Sequence, residues 1–294
     1  MLIGITGASG FIGQHLIDLA VRRGHEIVAF SRHPEHAISG CEMRPFSLSE
    51  PPNIEGCDAL IHLAGEPVVG LWTAEKKRRI VESRVQGTRR IVEAIAAAQQ
   101  KPEVLVCGSA IGFYGDRGEE ELTETAQAGE GFLAETVKLW EAETRPATEM
   151  GTRVVNLRTS IVLGKKGGAL AAIAPAFRLG LGGRLGSGQQ WMSWIHLEDL
   201  VQLTLFAMEN LDVRGPLNVT APWPVRQIDF AQTLARVLRR PCFLPVPAWA
   251  LRLVLRGFAA ELLDSKRVLP ASALEHGFGF RFSEIEPALK NLVG

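Results

Sequence analysis

The chain has 294 residues, room for one large domain or two small ones at about 100–200 residues each. Its 32 Lys+Arg balance 32 Asp+Glu, so the formal charge is zero and the basic excess of a dedicated nucleic-acid binder is missing. With 46% hydrophobic and 22% charged residues it reads as a globular chain, not a disordered one.

The first element is a strand over Leu2–Thr6 that runs straight into Gly7, Gly10 and Gly13, with a helix starting near Phe11. This is a G-x-x-G-x-x-G spacing in a strand–turn–helix context. Such glycines permit a tight turn, a close approach of backbone N–H groups to a diphosphate, and close packing of helix on strand. The helix N-terminus adds unpaired N–H groups and a positive dipole end. No Lys-Ser/Thr follows, which argues against a nucleoside-triphosphate loop.

A second strand, Glu26–Phe30, ends at Ser31 and Arg32. A binder of NAD places an acid about here to bond the ribose 2′-OH. An arginine fits a 2′-phosphate better, through its planar fork, and Ser31 adds a hydroxyl. The pattern therefore favours NADP(H). His33-x-x-His36 with Cys41 follows in a proline-bearing loop, but lacks a fourth ligand at metal spacing, so no metal is expected.

Further strands are predicted at Ala59–Leu63, Val104–Cys107 and Arg153–Leu157. Between them lie helices, one marked by the apolar stripe Val81, Val85, Thr88, Val92 and Ile95, another by Leu133, Val137 and Trp140. Strands alternating with helices imply an α/β, Rossmann-like, doubly wound parallel sheet. A glycine-rich stretch, 178–190, then breaks the rhythm. It is followed by a helix near Leu197–Met208, a strand near Pro216–Val219 and a helix near Gln227–Leu238. The expected organisation is a dinucleotide-binding domain over 1–160 and a smaller C-terminal substrate lobe over 161–294, with elements near 195–220 returning to the sheet. The apolar run 245–263 is broken by Arg252 and Arg256 and reads as a packed surface helix, neither a membrane span nor a membrane-surface docking helix, so no membrane partner is expected. Four scattered cysteines without a C-x-x-C pair, and no signal-like N-terminus, point to reduced thiols and a cytoplasmic protein, monomer or homodimer.

The segments TGASGFIG (6–13), DALIHLAGEP (58–67), RVQGT (84–88), SAIGFYG (109–115) and WIHLEDL (194–200) together resemble the extended short-chain dehydrogenase/reductase superfamily. GFLAETVKLWEA (131–142), the 177–196 stretch and HGFGFRF (276–282) look most like its atypical epimerase-like branch, of the bacterial YfcH type. The resemblance implies a cofactor site formed by Gly7, Ser9, Gly10, Phe11 and Ile12, with Ser31 and Arg32 beyond. Leu63, Ala64 and Gly65 would lie along the adenine–ribose side, and Glu66 at the mouth of the crevice. Arg84 would reach toward the cofactor phosphates or ribose. Ser160 and Ile161 would present backbone to the nicotinamide amide. The substrate would be an unspecified small molecule, and the reaction an NADP-dependent oxidoreduction or a sugar-nucleotide-type epimerisation.

One part of the family pattern is missing. The superfamily uses Tyr-x-x-x-Lys with an upstream Ser, so that an ammonium one helical turn from the phenol tunes its proton exchange. This chain has one tyrosine, Tyr114, and four residues later stands Gly118. If Lys138 is the lysine, the tyrosine position holds Ala134; Ser109 matches the serine. Three readings stay open. Another group does the proton work, Tyr114 first and Glu66 or Glu135 behind it. Or the chain is a weakly active or inactive NADP(H)-binding, redox-responsive module acting through a partner protein. Or it is a purely structural partner.

Overall fold

The structure is a computed structural model and describes residues 1–293. The first half runs β1 (Leu2–Thr6), α1 (Phe11–Arg22), β2 (Glu26–Ser31), β3 (Cys41–Pro45), β4 (Ala59–His62), α2 (Ala74–Ala97), β5 (Val104–Ala110), β6 (Glu121–Leu122), α3 (Phe132–Ala142), α4 (Arg145–Glu149) and β7 (Arg153–Thr159). The second half adds β8 (Ile161–Leu163), α5 (Gly168–Arg178), β9 (Trp191–Met192), β10 (Trp194–His196), α6 (Leu197–Glu209), β11 (Gly215–Val219), β12 (Val225–Arg226) and α7 (Gln227–Leu238). It closes with α8 (Ala248–Leu255), α9 (Phe258–Leu263), β13 (Arg267–Val268), α10 (Ala271–Glu275) and α11 (Ile285–Val293).

Seven strands form one parallel sheet in the order β11-β7-β5-β4-β1-β2-β3. Both faces are covered, as a parallel sheet of Val, Ile and Leu requires. Ile3, Ile5, Val106 and Leu157 pack on α1 and α6; Leu60, Leu105, Cys107 and Val154 pack with Ile91, Ile95 and Trp140 of α2 and α3. Chain order reverses beside β1, with β2 on one side and β4 on the other, so a crevice opens there at the carboxyl ends of the strands.

Two differences from the sequence reading have plain causes. β3 reads CEMRP, with no fully buried residue, so it carries no periodic apolar signal; pairing with β2 alone makes it a strand. β5 and β7 extend past Cys107 and Leu157 because each continues the other's ladder, Ser109 opposite Arg158 and Ala110 opposite Thr159.

The later elements form a third core around Leu163, Phe177, Trp194, Phe230, Leu234 and Leu289. α8 does not follow the expectation of a packed helix. Only Leu251 of its eight residues is buried, while Trp249, Leu253 and Val254 are exposed at 69%, 73% and 67%. No helix among the described residues is long and apolar enough to cross a membrane.

Candidate cofactor and catalytic site

The crevice begins at the β1–α1 turn. Gly7 takes φ +71°, a left-handed conformation, and its carbonyl accepts the Gly10 N–H at 2.9 Å. A Cβ on Gly13 would lie 2.2 Å from the Gly7 oxygen, so only glycine lets α1 start this close to the strand. Gly10 is the N-cap and offers no side chain, and the first turn has no acid. The opening amides of α1, from Phe11 onward, therefore face the crevice uncapped. Ser9 and Gly10 are exposed, Ile12 is half-buried against the core, and the Phe11 ring fills the space left by Gly164 and Gly167.

A buried relay fixes the opposite wall. The Thr6 hydroxyl accepts the N–H groups of Leu63 and Ala64, each at 3.1 Å, and donates to His62 Nδ1 at 2.7 Å. Complete burial pushes the His62 pKa down to about 4, so the ring is neutral at physiological pH. A Cβ on Gly65 would stand 3.5 Å from the Arg84 guanidinium carbon. Arg84 thus stands beside Gly65, where it braces the wall. Its Nη1 donates to the carbonyls of Glu66 (2.9 Å) and Ile80 (3.2 Å), and its guanidinium lies over the Trp140 ring at 5.0 Å. Burial depresses its pKa to about 10, which still leaves it charged at neutral pH.

At the outer end, Arg32 is exposed, and Ser31 Oγ accepts the His33 N–H at 3.0 Å. Lys76 Nζ lies 2.7 Å and Arg79 3.9 Å from Glu66 Oε1. Their charges, together with that of Arg32, hold the Glu66 carboxyl below the usual carboxylate range, the Lys76 hydrogen bond contributing most. Three cations therefore converge on this edge of the crevice.

The catalytic corner departs most from expectation. Tyr114 is fully buried. Its proton is shared between Asn218 Oδ1 (2.7 Å) and the Thr123 carbonyl (3.1 Å), and its oxygen accepts from Arg158 Nη1 at 3.0 Å. Burial raises the phenol pKa above its ordinary value. A phenol so enclosed does not reach a substrate, and the reading of Tyr114 as proton donor is corrected accordingly. α3 buries Leu133, Ala134, Val137 and Trp140, while Lys138 is exposed and pairs with Glu135 at 2.5 Å. A four-residue spacing gives one helical face, but tertiary packing decides which face looks inward. Both members of the Lys138–Glu135 pair are exposed to solvent.

Ser109 remains. Its Oγ, 5% exposed with its residue, donates to Glu141 Oε1 at 2.6 Å. Glu141 also receives Arg158 Nε and Nη2, both at 2.9 Å, a bidentate pair. Arg158 lies 3.5 Å from the Phe113 ring centroid. Burial works against its charge, yet the bonds to Glu141 and Tyr114 raise its pKa. Glu141, Arg158, Asn218 and His62 escaped the sequence reading. One signal existed: an arginine inside the strand VVNLRT needs a buried partner. Ser160 and Ile161 lie past β7, and their N–H groups bond to the Val219 and Ser193 carbonyls, at 3.1 and 3.2 Å. Trp191 lies between Arg226 and Arg267, with ring-centroid distances of 4.1 and 4.6 Å, and Trp194 is in the third core.

Comparison with known proteins agrees with this architecture. Residues 3–219 match the model of the NAD dependent epimerase/dehydratase family, and residues 246–292 match a domain of unknown function, DUF1731. The chain is 38% identical to the epimerase family protein YfhF of Bacillus subtilis, over 100% of this chain and 98% of that one. It is also 38% identical to the chloroplastic homologue of epimerase family protein SDR39U1 from Arabidopsis thaliana, over 100% and 87%. Human SDR39U1, solved with NADPH, superposes with a TM-score of 0.90 at 33% identity, covering 99% of each chain. The strand–glycine–helix loop, the parallel sheet and these full-length likenesses lead to one conclusion: the chain belongs to the NAD dependent epimerase/dehydratase family, within the epimerase-like extended short-chain dehydrogenase/reductases.

Proposed function

We propose that the chain binds NADP(H) across the carboxyl ends of its strands and acts as an oxidoreductase-like or epimerase-like protein on a small molecule. The observation that carries this reading is the side-chain-free cradle of Gly7, Gly10 and Gly13 before uncapped amides of α1. The NADPH in the human relative supports the choice of cofactor. Arg32 supports it too, as the exposed guanidinium at the edge where a 2′-phosphate would sit. When bound, the nicotinamide supplies or accepts a hydride. The amides at Phe11 and Ile12 hold the diphosphate, and Leu63, Ala64 and Gly65 line the adenosine side. Ser109 holds a substrate oxygen. A substrate hydroxyl that gives its proton to Ser109 Oγ can pass the serine proton to Glu141, with Arg158 balancing the charge.

A second reading, an NADP(H)-binding module that acts through a partner, is favoured by a specific observation. Glu141 is already committed to three hydrogen bonds, and no phenol or ammonium of the family pair faces the crevice.

Fluorescence titration decides the cofactor. NADPH should bind more tightly than NADH, and Arg32→Ala should weaken NADPH about tenfold while sparing NADH. Equal affinity for both would sink the assignment. Nicotinamide absorbance over a panel of carbonyls and nucleotide sugars separates the two functional readings. Turnover lost in Ser109→Ala but kept in Tyr114→Phe supports the enzyme; tight binding without turnover supports the module.

A further inference from the structure

The substrate lobe carries a face unlike the rest of the molecule. Segments 179–186 and 241–248 run side by side, Gly182 bridging Cys242 and Leu185 bridging Val246. The Val246 N–H donates to the Arg184 carbonyl at 2.8 Å, and a Cβ on Gly183 would fall 1.7 Å from the Leu244 oxygen. α8 continues directly from the second segment. Together they expose Leu179 (75%), Phe243 (68%), Trp249, Leu253 and Val254.

The charge on this face has one sign. Arg178, Arg184, Arg239, Arg240, Arg252 and Arg256 are all exposed. No aspartate or glutamate occurs in 167–197 or 230–260. None of the six arginines is in an ion pair among the described residues. The acids nearest to Arg252 and Arg256 along the chain, Glu261 and Asp264, are held by Lys266 at 3.3 and 3.4 Å. In a chain of zero net charge, this makes a strongly polarised molecule.

We propose that this face docks on an anionic lipid surface. Charge complementarity selects an anionic occupant, and composition selects a bilayer over a protein. The stretch 239–260 contains no Ser, Thr, Asn, Gln, His, Lys or acid; guanidinium is its one charged group, set among Trp, Phe, Leu, Val and Pro. A specific protein contact needs about one hydrogen bond per 100–200 Å², which such a surface can hardly supply beyond its arginines. Phosphate headgroups and acyl chains need only cations beside protruding apolar side chains. α8 is too short to span, so the protein lies on the surface.

The test is co-sedimentation of the full chain, with NADPH, on vesicles of phosphatidylcholine containing about one third phosphatidylglycerol. The expected result is binding to these vesicles, little binding to pure phosphatidylcholine, and release by salt. Leu253→Glu and the double change Arg252→Glu with Arg256→Glu should each lower the bound fraction about tenfold while leaving the melting temperature and NADPH affinity unchanged. No binding to the anionic vesicles, or equal binding by parent and variants, overturns the proposal. So does a lipid-free dimer, seen by analytical ultracentrifugation, that Leu253→Glu dissociates; the face would then belong to a second copy.

Discussion

The β1–α1 loop and the corner around Ser109 sit at the same end of one sheet, yet they are built differently. The loop is backbone. Its function lies in where side chains are absent, at Gly7, Gly10 and Gly13, so it tolerates no Cβ but asks little of its neighbours. The corner is side chain. Ser109, Tyr114, Glu141, Arg158 and Asn218 form one buried network in which each member satisfies another. A backbone site survives changes elsewhere in the sequence; a side-chain site can be rewired by one residue. Here the family's phenol–ammonium pair is gone, and the chain's one tyrosine serves as a structural strut under an arginine.

Four experiments break or sharpen that contrast. The largest effect belongs to the corner. Arg158→Ala leaves Glu141 charged and almost buried without its partner and removes a donor to Tyr114, so unfolding stability should fall by about 3–5 kcal/mol. Denaturant melts check this; a loss under about 1 kcal/mol would show that the network does not hold the corner. Next, Gly13→Ala forces a methyl against the Gly7 oxygen and should weaken NADPH binding about a hundredfold, or roughly 2.7 kcal/mol, measured by calorimetry. An unchanged affinity would remove the loop from the cofactor site.

The third concerns the relay beneath the loop wall. His62 has a pKa near 4 in the fold against 6.5 when free, so the unfolded chain binds more protons between those values. The sign follows: this contribution to stability is complete above pH 6.5 and is lost as pH falls toward about 4. Between pH 7 and 5 the loss is about 2 kcal/mol. The stability difference between parent and His62→Gln should therefore shrink by that amount over the same interval, and a pH-independent difference would show His62 to be solvated. The smallest effect is that of Lys138→Ala. Its pair with Glu135 is exposed on both sides, so stability should move by less than about 0.5 kcal/mol, with NADPH affinity unaffected. A large change in cofactor affinity would return Lys138 to the site.

The sequence by itself determined the parallel sheet, its helical cover and the glycine loop. These depend on local periodicity and on the absence of side chains, and both are written along the chain. It also located the family's missing pair, since a single tyrosine followed by Gly118 settles that by counting. Tertiary structure decided the rest. The half-exposed CEMRP segment became a strand through pairing with β2. Glu141 and Arg158, 17 positions apart, met because α3 packs on β5, the sheet neighbour of β7. Lys138 turned outward because Val137 and Trp140 on the other face are what the sheet buries. α8, apolar enough to read as packed, stayed exposed because the third core closes without it. Pattern says which side chains are apolar; which of them find a neighbour depends on contacts between residues far apart in the chain.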